Sequence, residues 1–234
     1  MPSHEEYLDP RCTLSSLDTF AVRRAILDAL RAQLGDLTGT LLDVGCGSKP
    51  YRSLVLTAPS RVRQYIGLDV PGTGYGAPDL AWDGSTIPLK DEAVECALAT
   101  EVLEHCPDTD RVLGELRRTL KRGGLLFLTV PFLWPLHDVP NDEYRFTPFS
   151  LQRHLARAGF TDIRVFALGG WDASLAQMIG LWVRRRTMAP WLRRVLSLLA
   201  LPIVRSLWGR DRRPGLNEDV MVTGLWATAK RSYA

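Results

Sequence analysis

Residues 41–51, LLDVGCGSKPY, decide the fold. Leu41, Leu42 and Val44 read as a buried strand, and Gly45 and Gly47 come next with one residue between them. A strand that runs into glycines brings bare backbone up to a ligand, because no Cβ intervenes. In an open parallel sheet, ligands lie beyond the carboxyl ends of the strands, where this turn falls. Gly-x-Gly alone also describes an ordinary tight turn, so the reading rests on residues further along the chain. YIGLDV, 65–70, reads as a second strand with Asp69 at its end. An acidic side chain about 20 residues past such glycines accepts hydrogen bonds from ribose hydroxyls. In DLAWDGSTIPLKDEAVECALATEVLEH, 79–105, a polar turn holds Asp83 and a third apolar strand, Val94 to Ala99, runs into Glu101.

Taken in order, D-V-G-C-G, G-L-D, W-D-G-S-T-I-P-L-K-D-E-A-V-E, E-V-L-E-H and L-K-R-G-G-L-L-F-L-T-V-P resemble class I S-adenosylmethionine-dependent methyltransferases of the methyltransferase type 11 kind. The usual third glycine of a dinucleotide fingerprint is absent, with Ser48-Lys49-Pro50 in its place. That departure disfavours a nicotinamide-type pyrophosphate site, which needs tight approach to a helix N-terminus. The resemblance implies an α/β fold: a Rossmann-like doubly wound sheet, mostly parallel, with an antiparallel last strand. It implies S-adenosyl-L-methionine as cofactor. Asp43, Gly45, Cys46 and Gly47 would line its methionine and ribose portion, Asp69 and Val70 the ribose, and Trp82, Asp83 and Gly84, with Thr86, the adenine. Thr100 and Glu101 would lie beneath the sulfonium, and His105 near the acceptor.

The 234 residues, 46% of them hydrophobic, suit one domain with an insertion. A net charge of +3 is too small to imply nucleic acid by itself. Cys12, Cys46, Cys96 and Cys106 have no C-x-x-C spacing, so reduced, partly buried thiols are expected rather than a disulfide framework or structural zinc. The polar, acidic start MPSHEEYLDPRC does not read as a signal peptide, and no uncharged apolar stretch reaches the roughly 18 residues of a spanning helix. The expected location is cytoplasmic, with peripheral attachment at the inner face of the membrane as an option.

Residues 1–14 read as a loosely held arm. Residues 16–34 show helical periodicity, with Asp18 or Ser16 as cap and Gly35 at the end. Residues 108–121 read as an amphipathic helix capped by Asp108 or Thr109 and stopped by Gly123-Gly124. The methyltransferase domain is expected to comprise 15–170 and 219–234.

FLWPLHDVPNDEYRFT, 132–147, leaves the carboxyl end of a central strand, where active-site loops belong. Similar H-x-x-P-x-D-x-x-R-x-T segments occur in the methyltransferases this chain resembles. Aromatic Trp134 and Tyr144, with Asp142 and Arg145, are candidate substrate contacts. His137 is the candidate general base, since neutral imidazole accepts a proton near pH 7, and Asp138 is placed to orient it or act instead. A hydrogen bond that merely orders the loop is the competing role for His137. Asp138, Asp142 and Glu143 could gather a divalent ion, but nothing in their spacing demands one, and no metal is assigned.

Residues 171–218 form an insertion before the last strand. Helical patterns over 172–186 and 190–208 carry Trp, Leu and Met on one face. Between 184 and 213 there are nine arginines and one acid, Asp211. Trp191, Leu192, Val195, Leu196, Leu198, Leu199, Ile203, Leu207 and Trp208 share a face; Arg193, Arg194, Ser197, Arg205 and Ser206 lie opposite. Such a pair suits an anionic membrane surface, a cap over the active site, a homodimer interface or an ordinary packed subdomain. Without a stacked aromatic platform, nucleic acid is set aside. The function expected is methyl transfer, with O-methylation of a small-molecule, glycan or lipid-linked acceptor. The alternative is a cofactor-binding protein without transfer activity, attached to a membrane or partner through the insertion.

Overall fold

The computed structural model describes residues 4–72, 74, 76–217 and 219–233. Seven strands form one sheet: β1 (Thr38–Val44), β2 (Arg61–Asp69), β3 (Leu80–Ala81), β4 (Val94–Thr100), β5 (Leu120–Pro131), β6 (Phe160–Ala167) and β7 (Gly224–Arg231). Their spatial order is β3-β2-β1-β4-β5-β7-β6. β1 pairs in parallel with β2 and β4, and β4 with β5; β7 runs antiparallel between β5 and β6. This is the α/β, Rossmann-like, mostly parallel sheet with an antiparallel last strand that the resemblance implies.

Among the described residues seven α-helices accompany it: α1 (His4–Leu8), α2 (Phe20–Gln33), α3 (Arg52–Val55), α4 (Thr109–Thr119), α5 (Pro148–Arg157), α6 (Trp171–Arg185) and α7 (Pro190–Arg210). Successive side chains on a strand point to opposite faces. Leu41, Leu98, Phe127 and Trp226 therefore meet Ala25, Ile26 and Leu30 of α2 on one face. Leu42, Ala97, Leu126 and Ala227 meet Val112, Leu113 and Leu116 of α4 and Leu151 and Leu155 of α5 on the other. Strands covered on both faces read as continuous apolar runs, as 124–131 does.

Several local expectations change. α2 starts at Phe20, and Asp18 does not cap it: the carboxylate is buried and bonds Arg185 Nε at 2.6 Å. The 1–14 segment is held in part, with Cys12 buried and its carbonyl accepting from Arg205 at 2.7 Å. α4 ends at Thr119 and β5 begins at once, so Gly123 (φ 73°) and Gly124 fall inside the strand. The β4–β5 register shifts between Val94 and Cys96, and glycine serves this irregularity rather than a helix stop.

The insertion shows the largest difference. β6 is parallel to β5, so the chain leaves for α6 at the carboxyl edge of the sheet and returns to the same edge, where Gly224 pairs with Pro131. α6 buries Ala173, Ala176, Gly180, Leu181 and Val183. α7 buries Ser197, Ala200 and Val204, with Leu196, Leu207 and Trp208 of the expected apolar face packed beside them. Trp191, Val195, Leu198, Leu199 and Ile203 face outward, as do Trp171, Leu175, Met178 and Trp182 of α6. Among the described residues no helix is long and apolar enough to cross a membrane.

Candidate functional site

The glycine turn caps the sheet at the β1 carboxyl end. Gly45 has φ 65° and Gly47 φ 50°, the left-handed region that glycine enters without strain. A Cβ on Gly45 would stand 2.5 Å from Val102 Cγ2. Gly47 N–H donates to Asp69 Oδ2 at 2.7 Å, and Val70 N–H to Asp69 Oδ1 at the same distance. A carboxylate offers about four lone-pair positions, so each oxygen of Asp69 keeps one for a further donor. Bare backbone and an acid with spare acceptor capacity, brought together at the strand ends, fit a ribose-bearing cofactor.

The other cofactor candidates divide. Val70 is exposed beside Asp69. Asp43 is buried and accepts from Tyr65 Oη, with its Oδ1 unpartnered; burial pushes its pKa up to about 7. Burial and the nearby Asp43 raise the Cys46 thiol to about 12, so it is inert as a nucleophile. The Trp82 ring belongs to the apolar core, while Asp83 is exposed and accepts from Ser85 N and Thr86 N at 2.8 Å. These bonds hold its pKa at about 2 and shape the turn at Gly84 (φ 81°).

β4 delivers the second half of the site. Thr100 ends the strand, and Glu101, at φ 55°, turns the chain. Thr129 Oγ1 donates to Glu101 Oε1 at 2.8 Å. Burial raises the Glu101 pKa to about 7. Glu104 is wholly buried, and neither of its carboxylate oxygens has a hydrogen-bond partner. Burial first, and the charge of Glu101 second, hold it protonated well above the usual range. Glu104 is a residue that sequence reasoning misses; the available signal is a carboxylate between Leu103 and His105, just past an apolar strand.

The 132–147 loop folds over this spot. Glu143 N and Tyr144 N donate to the Glu104 carbonyl at 2.8 and 3.2 Å, and Tyr144 Oη donates to the Pro107 carbonyl at 2.9 Å. Arg145 grips both Asp142 oxygens, at 2.6 and 2.8 Å, and reaches the Trp134 carbonyl at 3.3 Å. The guanidinium holds the Asp142 pKa below the carboxylate range. Asp142 and Arg145 thus order the loop. Asp142, not Asp138, bonds His137: Nδ1 lies 3.2 Å from Asp142 Oδ2. Asp138 lies by the other histidine, its Oδ2 3.9 Å from His105 Nε2. The His105 and His137 rings meet edge to face with centroids 4.7 Å apart, and Trp134 flanks His137 at 6.5 Å. Arg185 of α6 lies over the Trp134 ring at 5.8 Å, joining insertion and loop.

Residues 42–128 match the family model described as a methyltransferase domain. A 37.1 kDa protein of transposon TN4556 from Streptomyces fradiae is 29% identical over 56% of this chain and 40% of its own length. A malonyl-[acyl-carrier protein] O-methyltransferase from Methylococcus capsulatus is 28% identical over 63% of this chain and 62% of its own. The chain therefore spans less than two thirds of either relative. A SAM-dependent methyltransferase from Archaeoglobus fulgidus superposes over 97% of both chains with a TM-score of 0.55 at 15% identity, a likeness of fold.

Proposed function

Because residues 42–128 belong to the methyltransferase domain family and carry the class I S-adenosylmethionine-dependent fold, we propose that the protein transfers a methyl group from S-adenosylmethionine to an oxygen acceptor. The observation that carries this reading is the Asp69 carboxylate, tied to the Gly47 N–H with a lone pair to spare on each oxygen. The bound cofactor supplies an electrophilic methyl carbon. The chain must add an acceptor held in line, a dry site and a place for the acceptor's proton. Asp69 binds ribose hydroxyls; Gly45 and Gly47 leave room for the methionine portion. Trp134 and the 132–147 loop wall off the acceptor side. His137, with Nδ1–H held by Asp142, presents Nε2 as the proton acceptor, and exposed Asp138 stands nearby. An oxygen acceptor agrees with the O-methyltransferase name of the Methylococcus relative and with aromatic walls that suit a glycan, phenol or carboxyl carrier.

Calorimetric titration tests the cofactor. S-adenosylmethionine and S-adenosylhomocysteine should bind and NAD should not. Asp69→Ala should weaken both by about 1–3 kcal/mol, roughly ten- to hundredfold, through loss of charged hydrogen bonds. Equal dissociation constants for the variant and the wild type would remove Asp69 from the site.

The acceptor class is read as amphipathic or lipid-linked, because the insertion presents an apolar strip at the ligand edge. Leu198 and Leu199 of α7 are 53% and 61% exposed, and Trp171 and Trp191 are 65% and 69% exposed. A groove of about 450 Å³ between α6 and α7 is lined by Met178, Trp182, Leu199 and Ile203. Arginines on the same segment favour anionic headgroups. The protein should co-sediment with vesicles containing phosphatidylserine and not with neutral ones. Leu199→Asp with Ile203→Asp, both at exposed positions, should abolish this without changing S-adenosylhomocysteine binding. Wild-type protein that stays in the supernatant would end the membrane reading.

A further inference from the structure

Within the described residues one cluster of His, Cys, Asp and Glu has metal-binding geometry: a ligand atom each from Glu104, His105 and His137, all within 4.8 Å of one another. Proximity of such groups is common and proves little. Two further observations at this place point to a cation.

The first is the state of Glu104. Its side chain has no exposure, and neither oxygen has a hydrogen-bond partner among the described residues. Protonation would remove the charge but not the deficit, since a buried O–H without an acceptor also carries a desolvation penalty. A positive ion would satisfy both oxygens at once. Arg145, whose charge acts on Glu104, spends its guanidinium on Asp142 and on loop carbonyls.

The second is the direction of the two imidazoles. His105 Nδ1 lies 2.9 Å from the Asn141 carbonyl, which can only accept, so that nitrogen carries the hydrogen. His137 Nδ1 lies 3.2 Å from Asp142 Oδ2, the carboxylate that Arg145 clamps, so this nitrogen too is placed to donate. A neutral imidazole held in this way has its lone pair on Nε2. On His105 this atom lies 3.8 Å from Glu104 Oε1 and 3.9 Å from Asp138 Oδ2. A carbonyl or carboxylate fixing the far nitrogen is the arrangement that orients metal-binding histidines.

We propose that Glu104, His105 and His137 bind a divalent transition-metal ion of the Zn²⁺ type. Two imidazoles and one carboxylate suit zinc, with bonds of about 2.0–2.2 Å, and leave a coordination position open. Asp138 is exposed, with its Oδ2 3.9 Å from His105 Nε2. The ion's role rests on the methyl-transfer reading: held under the 132–147 loop, it would take an acceptor oxygen and favour its deprotonated form. His137 would then be a ligand, and proton acceptance would fall to Asp138.

The test uses the full chain, freed of metal with a chelator and titrated with Zn²⁺ alone, then with Co²⁺ for its visible ligand-field bands. S-adenosylhomocysteine binding, measured separately, reports on fold and cofactor site. One equivalent of Zn²⁺ should bind the wild type. Glu104→Gln, which keeps shape and removes charge, should weaken Zn²⁺ at least a hundredfold, as should His137→Gln. Asp142→Asn, acting through His137, should weaken it about ten- to hundredfold. Wild-type protein that binds S-adenosylhomocysteine but no Zn²⁺ overturns the proposal, as does Zn²⁺ affinity unchanged in Glu104→Gln. Wild-type protein that binds Zn²⁺ but no S-adenosylhomocysteine would keep the metal site and overturn the transferase reading instead.

Discussion

Asp142→Ala should lose about 2–3 kcal/mol of stability and bring methyl transfer down at least a hundredfold. The Asp142 side chain is 2% exposed and meets Arg145 through two bonds. Removing one partner of a buried pair costs about 3–5 kcal/mol. The lower figure is expected here because Arg145 keeps 24% of its side chain in water. The functional loss is larger because the same carboxylate fixes the His137 ring and accepts the His137 N–H at 3.1 Å. Urea denaturation checks stability, and turnover at saturating cofactor checks function. The stability effect should depend on pH with a defined sign. The Asp142 pKa is lowered in the folded protein, so its contribution is present above the ordinary aspartate value of about 3.9 and fades as pH falls below it. The gap between wild type and variant should narrow toward pH 2. A gap that stays constant across that range would show that the ion pair is not its source.

Gly180→Val should be the most destabilising single change in the insertion, about 3 kcal/mol or more. A Cβ at Gly180 would stand 2.1 Å from the Leu17 carbonyl oxygen and 2.7 Å from its carbon. These are backbone atoms, which cannot swing aside. Overpacking of this kind costs about 1–3 kcal/mol, and more where nothing yields. If α6 backs away instead, it gives up the Gln177 bond to the Asp18 carbonyl, at 3.1 Å, and the Arg185–Asp18 pair. The thermal midpoint should fall by roughly 6–12 °C for a domain of this size. Gly209→Ala is the control: no atom lies within 4 Å of its would-be Cβ, and alanine favours helix by about 1 kcal/mol. Equal effects at the two positions would mean that close approach at Gly180 is not the cause.

How far residues alone reveal the structure depends on the range of the forces involved. The glycine turn, Asp69 and the parallel strands are legible because they depend on neighbours in the chain or on a fixed spacing. Asp108 is legible as a cap for the same reason: it accepts from Arg111 N at 3.0 Å. Asp18 has the same local chemistry, yet its partner is Arg185 on a helix far along the chain. Nothing near Asp18 marks that choice. The 190–208 periodicity correctly marks a helix, but not how much of its apolar face packs: Leu196, Leu207 and Trp208 lie against the amino-terminal cluster, while Leu198, Leu199 and Ile203 are exposed. The sequence does not separate Asp138 from Asp142 as the partner of His137, since both lie within one short loop and only the Arg145 clamp distinguishes them.

The antiparallel position of β7 bears on how the molecule is assembled during synthesis. Among the described residues β6 pairs with β7 alone, and β7 lies beyond both insertion helices in the chain. On the ribosome, β1 to β5 can pair as they emerge, because each is adjacent to a strand already made. β6 must wait, with Val165 and Phe160 unpaired, until α6 and α7 have passed and β7 arrives to sit between it and β5. The partners of the insertion helices are made much earlier: Leu17, Asp18 and Phe20 receive Gly180, Arg185 and Trp208. α6 and α7 can therefore dock on the amino-terminal part of the chain as they emerge, and β7 closes the sheet between β5 and β6 only afterwards.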